Sequence, residues 1–151
     1  MEKYRRGQYF TPSRLVDLIL SFCVTKPNDL VLDPSCGSGE FLVRAYSRKR
    51  YLASASEQST VAQLWGIDSD EAVVNEARRR IMDVSKSDSN RIFSDHIMCI
   101  DFFDLPNPEA AKQEQMMLTD HEKAQAIRSR AKAVEKIPKV NVVVGNPPYT
   151  R

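Results

Sequence analysis

The sequence predicts an α/β fold built on a parallel sheet. Short apolar runs end in an acidic residue or a glycine turn, and stretches with helical spacing of apolar residues follow them. The last run, KVNVVVG at residues 139–145, is nearly continuous valine, as suits a strand covered on both faces. The resulting order is a helix, then strand–helix three times, then a strand, which short right-handed crossovers wind into one sheet.

Each element has its own signal. Residues Ser13 to Cys23 repeat Leu15, Leu18, Ile19 and Phe22 at three- and four-residue spacing, and Thr11-Pro12 reads as a cap followed by an early helical proline. Asp29 to Leu32 is a short buried strand. The turn SCGSG follows it, then a helix from Glu40 to Tyr51. Small polar residues from Ala53 to Thr60 predict a loop, and Val61 to Ile67 a second strand ending at Asp68. A helix over Asp70 to Met82 places Ala72, Val73, Ala77 and Ile81 inside, and the serine- and aspartate-rich Asp83 to Asn90 is a loop. A third strand falls within Arg91 to Ile100. The charged, glycine-free stretch from Pro106 to Pro138 predicts a short helix near Glu109 to Met117 and a longer amphipathic one near Asp120 to Lys136. The second opens on the capping box Thr119 to Glu122 and carries the apolar stripe Ala124, Ile127, Ala131 and Val134. Lys139 to Gly145 is the fourth strand.

With 151 residues the chain is long enough for one domain with a real core. A net charge of +2 neither demands nor excludes a nucleic-acid partner. No run of 18 apolar residues is present, and MEKYRRGQYF has no apolar signal core, so a cytoplasmic protein without a membrane partner is expected. Cys23, Cys36 and Cys99 are odd in number and widely spaced, which suits reduced thiols rather than a disulfide framework or a zinc site.

Four constellations carry chemistry. In DLVLDPSCGSGEFL, residues 29–42, a strand ends at Asp33 and a turn bearing Gly37 and Gly39 opens a helix. Ligands of open α/β sheets bind outside such strand ends. The turn is neither G-x-G-x-x-G nor followed by Lys-Ser/Thr, so a dinucleotide or triphosphate is disfavoured. Asp33 repels phosphate and attracts an ammonium; a tight packing turn is the plain alternative. In LWGIDSDEA, Asp68 stands at a strand end where an acid accepts from ribose hydroxyls, while Ser69 or Asp70 reads as a helix cap. After the third strand, Asp101 is placed to accept from an adenine amine and Phe102 to pack on its ring, with Phe103 a core aromatic. Finally, Asn146-Pro147-Pro148-Tyr149 leaves the fourth strand. Two prolines end the strand rigidly. The Asn146 amide oxygen and Pro147 carbonyl then suit the two protons of a planar NH₂ group, and Tyr149 suits stacking.

These motifs resemble the N6-adenine DNA methyltransferases of the gamma arrangement, found as modification subunits of restriction–modification systems. The resemblance runs in order along nearly the whole chain. It implies a Rossmann-like, S-adenosylmethionine-dependent methyltransferase fold with about four strands in the spatial order 3-2-1-4. Phe10, Thr11 and Pro12 match the element that packs on the methionine part of the cofactor. Asp33, Pro34, Cys36, Gly37 and Gly39 match the motif around its methionine end, Asp68 the ribose motif, and Asp101 and Phe102 the adenine motif. Asn146, Pro147, Pro148 and Tyr149 match the catalytic motif, with Asn146 also beside the cofactor. The partner implied is double-stranded DNA with the target adenine flipped out, together with a specificity or restriction subunit; no metal is required.

Family members continue beyond N-P-P-Y into the rest of the sheet and a target-recognition region. The chain stops at Arg151. One cofactor-binding domain over residues 1–151 is therefore expected, truncated after the motif, with an exposed fourth strand, marginal stability and no DNA methylation alone. The basic residues Arg44, Arg48, Lys49, Arg50 and Arg78 to Arg80 either touch phosphate or lie solvated on helix surfaces. The rival readings are an N-P-P-Y methyltransferase acting on RNA or a protein glutamine, and a non-catalytic cofactor-binding module.

Overall fold

The computed structural model describes residues 11–53, 57–86, 93, 95–102, 125 and 135–147. Helix α1 spans Ser13–Cys23. Its N-cap is Pro12, whose carbonyl accepts from the amides of Leu15 and Val16; Thr11 does not cap, and the proline sits outside the helix rather than in its first turn. Val16 and Leu20 are the buried residues of α1, whereas Leu15, Leu18 and Phe22 are exposed. The apolar stripe read from the sequence is thus largely the outer face.

Strand β1 covers Val31–Asp33. It starts later than expected because Asp29 closes a turn, accepting from the amides of Thr25 and Lys26 at 3.0 and 2.8 Å. Helix α2, Glu40–Leu52, fastens that turn from above. The Lys49 ammonium is buried and donates to the carbonyls of Pro27 and Asp29. A single turn of helix, α3 (Glu57–Val61), lies where a loop is expected. Strand β2 is Leu64–Asp68, and α4 is Glu71–Ser85, capped by Asp70 through the Ala72 amide at 2.9 Å. Within α4, Val74, Ala77, Ile81 and Ser85 are buried, while Ala72 is exposed. Strands β3, Ile97–Cys99, and β4, Val142–Val143, complete the sheet.

The four strands are all parallel and lie in the order β3-β2-β1-β4, as the family resemblance implies. Alternation along each strand separates two packed faces. Val31, Leu64, Ile97 and Val142 face a core shared with Val16, Leu20, Leu42, Ala45, Val74, Ala77 and Ile81 of the helices. Trp65, Ile67 and Met98 pack with Leu32, Ile100 and Ile137 in a second cluster. At β4 only one face is covered. Val142 and Val144 are buried, but Val143 is 61% exposed, so burial on both sides does not hold for this edge strand. The predicted helices near 109–117 and 120–136 lie outside the described residues except at Gln125, Glu135 and Lys136, which are helical. Among the described residues no helix is long and apolar enough to cross a membrane.

Candidate active site

Parallel strands point their carboxyl ends the same way, so Asp33, Asp68, Asp101 and Asn146 arrive at one edge of the sheet. There they share a cavity of about 680 Å³. Thr11 and Pro12 form one wall, Pro34 to Ser38 a second, Val73 and Arg80 of α4 a third, and Phe102 and Pro147 close the rest. This volume falls within the roughly 300–1,000 Å³ of small-molecule sites.

The glycine turn is stitched to β2 by its backbone. The Cys36 amide donates to the Ile67 carbonyl at 2.8 Å, and the Gly39 amide donates to the Cys36 carbonyl at 2.8 Å. Asp68 reinforces the stitch. Its Oδ2 accepts from the Gly37 amide at 2.8 Å and its Oδ1 from the Asp70 amide at 3.0 Å. Each carboxylate oxygen retains a further lone-pair direction for a ligand hydroxyl. The helix cap is Asp70 and not Asp68, which leaves Asp68 to the cavity. Gly39 does not line the cavity. It takes a φ of +81°, and a Cβ there would lie 2.9 Å from the Ala77 Cβ, so this glycine serves close packing of the turn against α4.

Asp33 is 1% exposed yet lines the cavity. Burial raises its carboxyl to about 7, against the Ser35 amide, which donates to it at 3.0 Å; nearby Asp68 adds to the rise. Beside it the Ser35 hydroxyl oxygen is buried without a hydrogen-bond partner among the described residues. Burial, aided by Asp33 and Asp68, also pushes the Cys36 thiol up, so it stays protonated and behaves as a small apolar group. The backbone of Gly145 completes this pocket. A Cβ at Gly145 would stand 2.6 Å from Asp33 Oδ1 and 3.2 Å from Ser35 Oγ, so any side chain there would force the Asp33 carboxyl to shift.

Thr11, Pro12, Asp33, Pro34, Cys36, Gly37, Asp68, Asp101, Phe102, Asn146 and Pro147 are thereby brought together. Phe10, Pro148 and Tyr149 lie outside the described residues. Sequence reasoning missed Gly145, Ser35, Ser13, Glu40 and Arg80. Glu40 follows the glycine turn directly and is a visible neighbour; Arg80 is distant in sequence and reaches the turn only because Ala77, one helical turn earlier, packs on Gly39. Several basic residues considered for phosphate contact make hydrogen bonds within the chain. Arg44 bonds Asp17 and Glu40, Arg48 the carbonyls of Ser21 and Val24, Arg78 that of Ile97, and Arg79 pairs with Glu76 and Asp83.

A parallel sheet in this order, with acidic residues from separate strand ends around one cavity, is the architecture of a Rossmann-like methyltransferase domain. The model of the N-6 DNA methylase family matches residues 1–151, and the chain belongs to that family. Its chemistry is that of an N6 methyltransferase.

Proposed function

We propose that this chain binds S-adenosylmethionine in the cavity and presents adenine N6 of DNA to it for direct methylation, as the modification component of a restriction–modification system. The observation that carries the reading is the arrival of Asn146 and Pro147 in the same cavity as Asp33, Asp68, Asp101 and Phe102.

The residues fit this cofactor. Asp33, buried beside an unpartnered Ser35 hydroxyl, suits an ammonium that restores its charge balance. Asp68 has oxygen lone pairs for ribose hydroxyls, and Asp101 with the half-exposed Phe102 suits an adenine ring. Bound there, the cofactor supplies a methyl group made electrophilic by its sulfonium. The acceptor nitrogen is a weak nucleophile, because its lone pair is delocalised into the purine. Asn146 and the Pro147 carbonyl counter this by accepting hydrogen bonds from its two N–H groups, which favours a tetrahedral nitrogen with its lone pair free and stabilises the positive charge that develops; the donor would leave as the thioether and the methylated nitrogen would lose one proton to solvent. Removing the base from the duplex costs a few kcal/mol, and stacking on Tyr149 recovers about 1–3 kcal/mol.

The test, with the chain joined to its native downstream sequence, is transfer of labelled methyl from S-adenosylmethionine to unmethylated DNA, RNA and protein offered in parallel, beside an Asn146→Ala variant. Label on adenine N6 that the variant loses supports the reading. Label on RNA or protein overturns the substrate assignment, and none from folded protein overturns the catalytic one.

A further inference from the structure

Two cavity-lining residues to which the motifs assign no role form a bridge of unusual reach. Glu40 is the first residue of α2, directly after the glycine turn. Its Oε1 accepts from the Ser13 hydroxyl at 2.9 Å and from Arg44 Nε at 3.2 Å. Its Oε2 accepts from Arg80 Nη2 at 2.6 Å. Arg80 Nη1 in turn donates to the Ser38 carbonyl at 2.9 Å and its hydroxyl at 3.3 Å. One carboxylate is therefore joined to α1 where Thr11 and Pro12 precede it, to the glycine turn, and to α4. Those are three walls of the cavity. Apolar packing holds these elements together but permits sliding. Directional hydrogen bonds to a shared carboxylate remove that freedom.

The pair also balances charge. Arg80 is the basic side chain among the described residues that line the cavity; the other charged lining groups are Asp33, Glu40, Asp68 and Asp101. Burial pulls the Glu40 carboxyl up, but Arg80, Ser13 and Arg44 outweigh it and hold it below its ordinary value, so the pair stays ionised in neutral solution. With Glu40 removed, an unneutralised guanidinium would face whatever occupies the cavity.

We infer, resting on the cofactor reading above, that Glu40 and Arg80 are positioning residues that fix the cavity walls and screen the Arg80 charge from a cationic cofactor. Two ligands separate this role from simple packing. S-adenosylmethionine carries the sulfonium charge, and S-adenosylhomocysteine lacks that charge together with the S-methyl group and is otherwise the same molecule. Glu40→Gln keeps a hydrogen-bonding side chain but leaves Arg80 unneutralised. It should weaken S-adenosylmethionine about tenfold and S-adenosylhomocysteine only about threefold, as expected for one added unit charge at intermediate dielectric.

Calorimetric titration of the wild-type chain with both ligands comes first, then of Glu40→Gln, of Glu40→Gln/Arg80→Met, and of Ser13→Ala. The double variant should return the ratio of the two affinities to the wild-type value. Ser13→Ala, which removes one strut and no charge, should weaken both ligands equally by roughly threefold, about the worth of one net hydrogen bond. Equal weakening of both ligands in Glu40→Gln, or wild-type binding by Glu40→Gln, overturns the inference while leaving the cofactor reading standing. If Glu40→Gln fails to fold, wild-type affinity in Ser13→Ala overturns it. A folded wild-type chain that binds neither ligand overturns the cofactor reading and the inference with it.

Discussion

Replacing Asp33 by asparagine is expected to stabilise the fold in neutral solution while removing the partner for the ligand's ammonium. Asp33 is 1% exposed and its carboxyl is raised from 3.8 to about 7, chiefly by burial. The folded protein thus binds this proton more tightly than the unfolded chain does. Stability falls as pH rises from about 4 to about 7 and is level above that. At about 1.4 kcal/mol per unit, the ionised group costs about 4 kcal/mol at pH 8 and under about 2 kcal/mol at pH 5. The asparagine amide keeps the bond from the Ser35 amide, which donates to Oδ1, though as a neutral and weaker bond, a loss of about 1 kcal/mol. A net gain of about 3 kcal/mol at pH 8, at roughly 2–4 °C per kcal/mol, raises the melting temperature by about 6–12 °C. At pH 5 the gain is about 1 kcal/mol or less by the same sum. Thermal melts of both proteins at the two pH values, without ligand, decide it. A variant that melts at or below wild type at pH 8, or whose advantage is the same at both, refutes the assignment of Asp33 as a buried, costly carboxyl.

The same titration governs binding. A ligand ammonium is drawn to the ionised form alone, so the apparent affinity scales with the fraction ionised. Below pH 7 wild-type affinity for S-adenosylmethionine should rise about tenfold per pH unit, and the Asp33→Asn variant should bind weakly with no such slope. A flat wild-type profile between pH 5 and 6.5 would place the ammonium elsewhere.

Other expectations follow from single contacts. Gly145→Ala places a Cβ 2.6 Å from Asp33 Oδ1, so it should cost about 1–3 kcal/mol in denaturant titrations and lower cofactor affinity together. Asp70→Ala removes the α4 cap and should cost about 1 kcal/mol, leaving cofactor affinity unchanged in calorimetry, because Asp68 is held by the Asp70 backbone amide and not by its side chain. Alkylation followed by mass spectrometry should modify exposed Cys23 quickly, and buried Cys36 only on unfolding.

The fold class was legible because each strand and its following helix are signalled within a few residues. Edges were less so. Asp29 carries the alternation of a strand, yet its carboxylate is drawn to two turn amides, a contest between side-chain and ladder hydrogen bonds that composition does not resolve. In α1 two apolar stripes compete. The buried pair Val16 and Leu20 is shorter than the exposed set Leu15, Leu18 and Phe22, so counting apolar residues selects the wrong face. The valines of β4 read as covered on both faces, but coverage of a face depends on what packs above it and not on the strand's own residues, and Val143 is exposed.

The site divides along the same line. Asp33, Asp68, Asp101 and Asn146 could be placed at one edge from the sequence because each closes a strand or follows one within three residues, and parallel strands bring their ends together regardless of side-chain detail. Gly39 was assigned to the ligand because a glycine in a turn signals close approach without saying to what; the partner is Ala77. Gly145 was passed over for the opposite reason, since its neighbour Asp33 is far away in sequence and meets it only across the β1–β4 pair. Arg80 depends on how α4 is rotated against α2, which sequence spacing does not set. What the chain shows locally is therefore the position of the chemistry. What tunes it is contributed by contacts between elements: the crowding of Asp33, the neutralisation of Arg80, and the backbone grip of Asp68 on the glycine turn.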